Sequence, residues 1–184
     1  SEAYRMGELV KILSSTTANV PSIRQMQSAD AILILGEDVA NTAPRIALAL
    51  RQAVRNKSFS MAKEAGIPDW QDAAVRNLGQ DELSPLMIVT SCESRLDDIA
   101  SHICSLNPDA IADFGYSLAA RLNGSETEGE MVRGMADILS QAKRPLIVSG
   151  AGAPHPDILS SAAAVAQALS KSNKETMLSL CVPE

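Results

Sequence analysis

The chain has 184 residues, 46% hydrophobic, 3% aromatic and 21% charged, and its 22 acidic against 16 basic side chains leave a formal net charge of −6. That balance excludes a nucleic-acid role, because there is no basic excess to displace phosphate counterions and one Trp, two Tyr and two Phe do not build a stacking platform. No run approaches the roughly 20 apolar residues of a spanning helix, which argues against direct membrane insertion, and the length suits one domain or one lobe of a larger one.

The first residues, Ser1-Glu2-Ala3-Tyr4-Arg5, are neither a secretory leader nor an initiator Met, so the chain reads as an excised segment. Four aliphatic runs read as strands buried on both faces: Ala31-Ile32-Leu33-Ile34-Leu35, Leu86-Met87-Ile88-Val89-Thr90, Leu146-Ile147-Val148-Ser149 and Met177 to Val182. The intervals between them are long enough for crossover helices. The expected fold is a Rossmann-like, doubly wound α/β lobe, with a mainly parallel sheet of four or five strands and helices on both faces.

After the first strand, Asn41 and Thr42 are placed to cap a helix with Pro44 in its first turn, ending near Asn56 and Lys57. The stretch from Ser58 to Asp81 reads as two short helices, the second restarting at Asp69. Ser94 and Asp97 resemble a capping box opening a helix through Ile99 and Ile103. A helix from Asp109 to Leu122 closes at Asn123-Gly124, a polar loop follows to Gly129, and Met131, Met135, Ile138 and Leu139 recur at helical spacing before Pro145 starts the third strand. An Ala-rich helix from Pro156 to Leu169 crosses to the last strand.

Two turns stand at strand ends, where open α/β sheets place ligands. In Gly36-Glu37-Asp38-Val39-Ala40-Asn41-Thr42 two carboxylates stand where an anion would approach, so the turn is no phosphate cradle and reads as a capped structural turn. Gly150-Ala151-Gly152-Ala153-Pro154-His155-Pro156 has small residues for close approach but lacks a third glycine, and reads as a tight strand-ending turn. His102, placed on a helix near Cys104, and His155, between two prolines, have no carboxylate or Ser partner at motif spacing. Ser91-Cys92-Glu93 offers a thiol without a base. No catalytic residue and no metal ligand is assigned. Cys92, Cys104 and Cys181 match neither a zinc set nor a disulfide framework, which points to a reducing, cytoplasmic setting.

Ser28 to Arg45, with its Gly36-Glu37-Asp38-Val39 turn and the helix through Arg55, resembles the large iron-sulfur subunits of bacterial NADH-quinone oxidoreductases, respiratory complex I. Asp69-Trp70-Gln71, Arg95 to Ala100 and Ala142 to Gly150 extend the resemblance in the same order over nearly the whole chain. It implies that residues 1–184 form a single α/β lobe of a larger domain similar to molybdopterin oxidoreductases. In that wider family a strand ending in Gly-x-Asn or Gly-x-Asp and a Pro-led helix lie beside the cofactor, and Gly36, Asp38 and Pro44 match this, as Gly150 and Gly152 match a later strand-Gly-x-Gly turn.

Gly36, Asp38, Asn41, Gly150 and Gly152 are therefore the implied, vestigial cofactor contacts. Cofactor-binding members carry a further strand with an Asp-Pro-like turn after the first helix, whereas Ser58 to Asp81 looks helical. The resemblance implies a structural lobe of an electron-transfer subunit, with no cofactor in this segment and iron-sulfur clusters elsewhere in the parent chain. Its partners would be the rest of that chain and other peripheral-arm subunits, on the cytoplasmic face of the inner membrane. The alternatives are the cofactor lobe of an active molybdopterin oxidoreductase, of formate dehydrogenase or nitrate reductase type, and a free-standing small-ligand domain.

Overall fold

The computed structural model describes residues 2–68, 70–79 and 82–182. Five strands, β1 (Ala31–Leu35), β2 (Leu86–Thr90), β3 (His102–Ser105), β4 (Pro145–Gly150) and β5 (Met177–Cys181), form one sheet in the order β3-β2-β1-β4-β5. Every pairing is parallel, as Ile32 opposite Leu86, Ile32 opposite Leu146 and Leu146 opposite Met177 illustrate.

Strand side chains alternate between faces, and β1 shows why its whole run is apolar. Ala31, Leu33 and Leu35 enter a core with Met87, Val89, Ile147 and Leu178, covered by α1 (Glu2–Ser15), α7 (Pro108–Leu122), α8 (Glu130–Gln141) and α9 (Pro156–Ser170). Ile32 and Ile34 enter a second core with Ile88, Leu146, Val148 and Cys181, covered by α2 (Ile23–Met26), α3 (Val39–Thr42) and α4 (Pro44–Ala53). The sheet is thus sandwiched between helices, as a doubly wound α/β fold requires.

Between α4 and β2 the described residues hold α5 (Asn56–Glu64) and α6 (Asp72–Leu78) and no strand, as the sequence predicts. Asp69, expected to restart the second helix, lies outside the described residues, and α6 begins at Asp72. Ser58 ties the region together by donating to the Gly79 carbonyl at 3.3 Å and the Glu82 carbonyl at 2.9 Å.

Three local expectations are corrected. The helix expected from Ser94 through Ile103 is a single 3-10 turn, Asp97–Ile99, followed by β3, so His102 and Cys104 lie on an edge strand. Ser94 and Asp97 do form the local contact, the Asp97 carboxylate accepting from the Ser94 amide at 3.0 Å, but Ser101 then donates its amide to Leu86 O at 2.8 Å and starts the strand ladder. Asn41 and Thr42 do not cap the Pro44 helix; they end a separate short helix, α3, and α4 starts after Ala43 without a side-chain cap. Finally, α4 stops at Ala53, and Asn56, expected near its end, opens α5 while its side-chain amide donates to Gln27 O and Ala29 O.

The residues before β1 supply the cover of one sheet edge. Asn19 donates its amide to Thr176 O and accepts from Leu178 N, each at 2.9 Å, as a one-residue continuation beyond β5.

Candidate functional site

Strand order reverses between β1 and β4, since the chain proceeds from β1 to β2 and β3 on one side and then returns to β4 and β5 on the other. The carboxyl ends of β1 and β4 flank this switch point, where doubly wound sheets open a ligand crevice. Gly36, Asp38 and Asn41 follow β1, while Gly150 and Gly152 end β4 and its turn, so the fold brings the sequence-implied contacts to one end of the sheet. Gly36 turns with φ of 70° and donates its amide to Val89 O at 2.8 Å. Ser149, fully buried, donates its hydroxyl to Leu35 O at 2.8 Å and pins the two strand ends together.

The crevice is filled by a residue that the sequence reading did not select. Glu37 is 1% exposed, and its carboxyl lies against both glycines of the β4 turn. A Cβ on Gly152 would stand 2.5 Å from Glu37 Oε1, and one on Gly150 would overlap Glu37 Oε2 and stand 2.7 Å from Cys181 O. At Gly150 a side chain would also meet the Cys181 backbone carbonyl, whereas at Gly152 it would meet only the Glu37 carboxyl, which would have to move aside.

The electrostatics of Glu37 follow from its setting. Burial pushes its carboxyl above the ordinary range, and the neighbouring Asp38 charge adds to the shift. The Thr42 hydroxyl and the Gly152 and Ala153 amides face it and favour its ionised form. The Thr42 hydroxyl donates to Asp38 O at 3.0 Å and the Ala153 amide to Gly150 O at 3.1 Å, and both Glu37 oxygens are buried without a hydrogen bond of good geometry. The Cys181 thiol shares the effect: burial first, and the Glu37 charge second, push it up to about 12, which keeps it a neutral thiol.

Asp38 and Asn41 point their chemistry at each other. The Asn41 side-chain amide donates to Asp38 Oδ2 at 2.6 Å, closing the turn between β1 and α3. Beside them a groove of about 620 Å³ is lined by Asn41, Thr42, Ala43, Pro44, Arg45, Ile46 and Val182.

His155 caps α9 by accepting from Asp157 N at 3.3 Å, and its ring nitrogens lie 3.9 Å from Asp109 and 3.7 Å from Asp157. It has carboxylate neighbours after all, one supplied by α7 and so invisible as a sequence spacing. Cys92 is exposed on the loop after β2, Cys104 half-buried on β3 and Cys181 buried on β5, all as free thiols. Among the described residues no group of three or more His, Cys, Asp or Glu could hold a metal ion, and no helix is long and apolar enough to cross a membrane.

Comparison with known proteins gives consistent relatives. The G subunit of NADH-quinone oxidoreductase from Pseudomonas fluorescens is 37% identical over 191 aligned positions covering 100% of this chain, and the corresponding Escherichia coli K12 protein is 36% identical over 91% of it. This chain is homologous to a segment of the NADH-quinone oxidoreductase G subunit. It spans about a fifth of the length of these relatives, 21% and 19%. No family model matches. Among solved structures, a chain of the formyltransferase/hydrolase complex FhcABCD from Methylorubrum extorquens, determined with methylofuran, superposes with a TM-score of 0.59 over 98% of this chain and 43% of its own. At 13% identity that likeness concerns the fold alone.

Proposed function

We propose that the chain is one lobe of the large iron-sulfur subunit of an NADH-quinone oxidoreductase. In this reading it works in the soluble peripheral arm, on the cytoplasmic face of the membrane, where electrons pass from NADH to quinone. The lobe is structural: it offers surfaces to the rest of its own chain and to neighbouring arm subunits and carries no redox centre itself.

The observation that carries this reading is the occupation of the switch-point crevice by Glu37. A molybdopterin nucleotide does not fit the residues present, because its phosphates would meet a carboxyl already seated between Gly150 and Gly152, with Asp38 beside it. The cysteines support the same conclusion. Cys104 and Cys181 sit on the two outer strands of a five-stranded sheet, four strand spacings or roughly 19 Å apart, too far to share the thiolate site of one cluster. The clusters then belong to the remainder of the parent chain.

Metal and pterin analysis of the intact parent complex tests this directly. Iron without stoichiometric molybdenum or pterin is expected; stoichiometric molybdenum or bound pterin would instead identify an active molybdopterin oxidoreductase. Deleting the segment from the full-length subunit should abolish co-purification with its complex, and a complex that assembles and turns over normally without it would remove the structural role.

A further inference from the structure

We propose that a basic groove at the amino end of the sheet seats an acidic, extended segment supplied by the remainder of the parent polypeptide. This rests on the structural reading above and deepens it, by assigning one contact surface and the chemistry of what covers it.

Charge supports the assignment first. At the end of the sheet opposite Glu37, Asp30 precedes β1, Lys143 and Arg144 lead into β4, and Phe59, Ser60 and Lys63 come from α5; together they border a hollow of about 420 Å³. Asp30 is its one carboxylate, and both oxygens are engaged within the chain, accepting from Lys143 N at 2.9 Å and Arg144 N at 2.8 Å. The exposed side chains of Lys63, Lys143 and Arg144 make no ion pair or hydrogen bond among the described residues. Three unpaired cations gathered on a chain of net charge −6 select an anionic partner at this place.

Shape then favours a peptide over a small anion. The backbone amides of Lys143 and Arg144 are taken by Asp30, so a phosphate would find only long, exposed side chains there. Ser28 and Arg144 also border a second hollow of about 310 Å³, walled by Val20, Pro21 and Met177, with Glu175 as its carboxylate. The charged hollow thus continues past Arg144 into a largely apolar one, which suits an extended chain carrying carboxylates and an apolar side chain. Affinity points to the same polypeptide. An exposed ion pair is worth a factor of about five at best, too little to retain a separate molecule, whereas a tethered segment arrives at an effective concentration in the millimolar range. This chain covers 21% and 19% of its relatives, so most of such a polypeptide lies outside it.

Carbodiimide coupling of the intact parent complex, which joins an amine directly to a carboxylate it touches, tests this by peptide mass spectrometry. Lys63 and Lys143 should be found joined to Asp or Glu of the same polypeptide outside residues 1–184, with the Lys57 and Glu82 ion pair as the internal control for the reagent. Arg144→Gln, at an exposed and unbonded side chain, should lower both couplings about threefold and leave that of Lys57 to Glu82 unchanged. Coupling of Lys63 and Lys143 to another subunit, to Asp30 alone, or to nothing while Lys57 couples to Glu82, overturns the proposal. So does an unchanged yield in Arg144→Gln, or a loss of coupling in sodium phosphate that sodium chloride at matched ionic strength does not reproduce, which would mark a small-anion site. Coupling to another subunit would leave the lobe structural, and molybdenum or pterin in the parent would remove the structural role without altering these couplings, so the two readings fail by separate results.

Discussion

Ionising a carboxyl that is buried beside another carboxylate costs free energy, and at Glu37 that cost has a definite sign in pH. The folded-state value is raised above the ordinary 4.5, so the folded chain holds the Glu37 proton more tightly than the unfolded one. Below about pH 4.5 both states are protonated and no penalty applies; as pH rises through the folded value, stability is lost. Glu37→Gln cannot titrate, so its stability relative to the native chain should grow from about pH 4.5 toward neutrality, as urea unfolding at a series of pH values would show. A difference constant in pH would mean that Glu37 is not the buried acid described. Asp38 gives the contrasting case. Its Oδ2 serves only the local turn through Asn41, so Asp38→Asn should leave NADH oxidation by the assembled complex within about a factor of two; lost activity in a normally assembled complex would favour cofactor contact. The sequence reading saw two carboxylates where an anion would approach and rejected a phosphate cradle on that ground. It could not see that Glu37 reaches a glycine pair more than a hundred positions later, because that pairing exists only once β1 and β4 lie side by side. The available signal was complementary: a strand-end turn stripped of side chains, and another strand-end turn with a long one.

Elements whose burial was strong enough to dictate composition were legible, and the rest were not. β1, β2, β4 and β5 are buried along nearly their whole length and show as aliphatic runs. β3 escaped because three of its four residues are exposed and it has one strand neighbour, so its His-Ile-Cys-Ser sequence carries no apolar run, and a nearby capping pair suggested a helix instead. Propensity also misleads inside α7, where Gly115 stands in a helix interior. Alanine there would gain about 1 kcal/mol of helix propensity. Its Cβ, however, would overlap the Ser161 hydroxyl of α9 and approach Ser161 Cβ and Leu35 Cδ2 each at 2.8 Å, and overpacking of this kind costs about 1–3 kcal/mol. Gly115→Ala should therefore destabilise the chain on balance, and Ser161→Ala in the same chain should relieve part of the loss by removing the hydroxyl. Urea unfolding of the single and double variants measures both; a stabilised Gly115→Ala would mean that α7 and α9 are not this closely packed.

At the scale of the whole chain, one sheet serves two cores, and that arrangement decides how the lobe comes apart. Successive residues of β1 belong to opposite faces: Leu33 is fully buried against α7, α8 and α9, and Ile34 is buried against α2, α3 and α4. The central strand hydrogen-bonds to β2 on one side and β4 on the other, so neither core keeps its floor if the other loses its half of the sheet. If residues 1–184 are a single lobe, the two faces must melt together. Leu33→Ala and Ile34→Ala should each cost about 2–5 kcal/mol, the usual range for emptying a buried aliphatic site. Both should move the same single transition in far-ultraviolet circular dichroism and in tertiary near-ultraviolet signals alike. Two separable transitions, one sensitive to Leu33→Ala and the other to Ile34→Ala, would divide the chain into independent halves. That result would also undercut the structural role, since a lobe that bridges neighbouring parts of an arm can transmit packing between them only if its own two faces are coupled through β1.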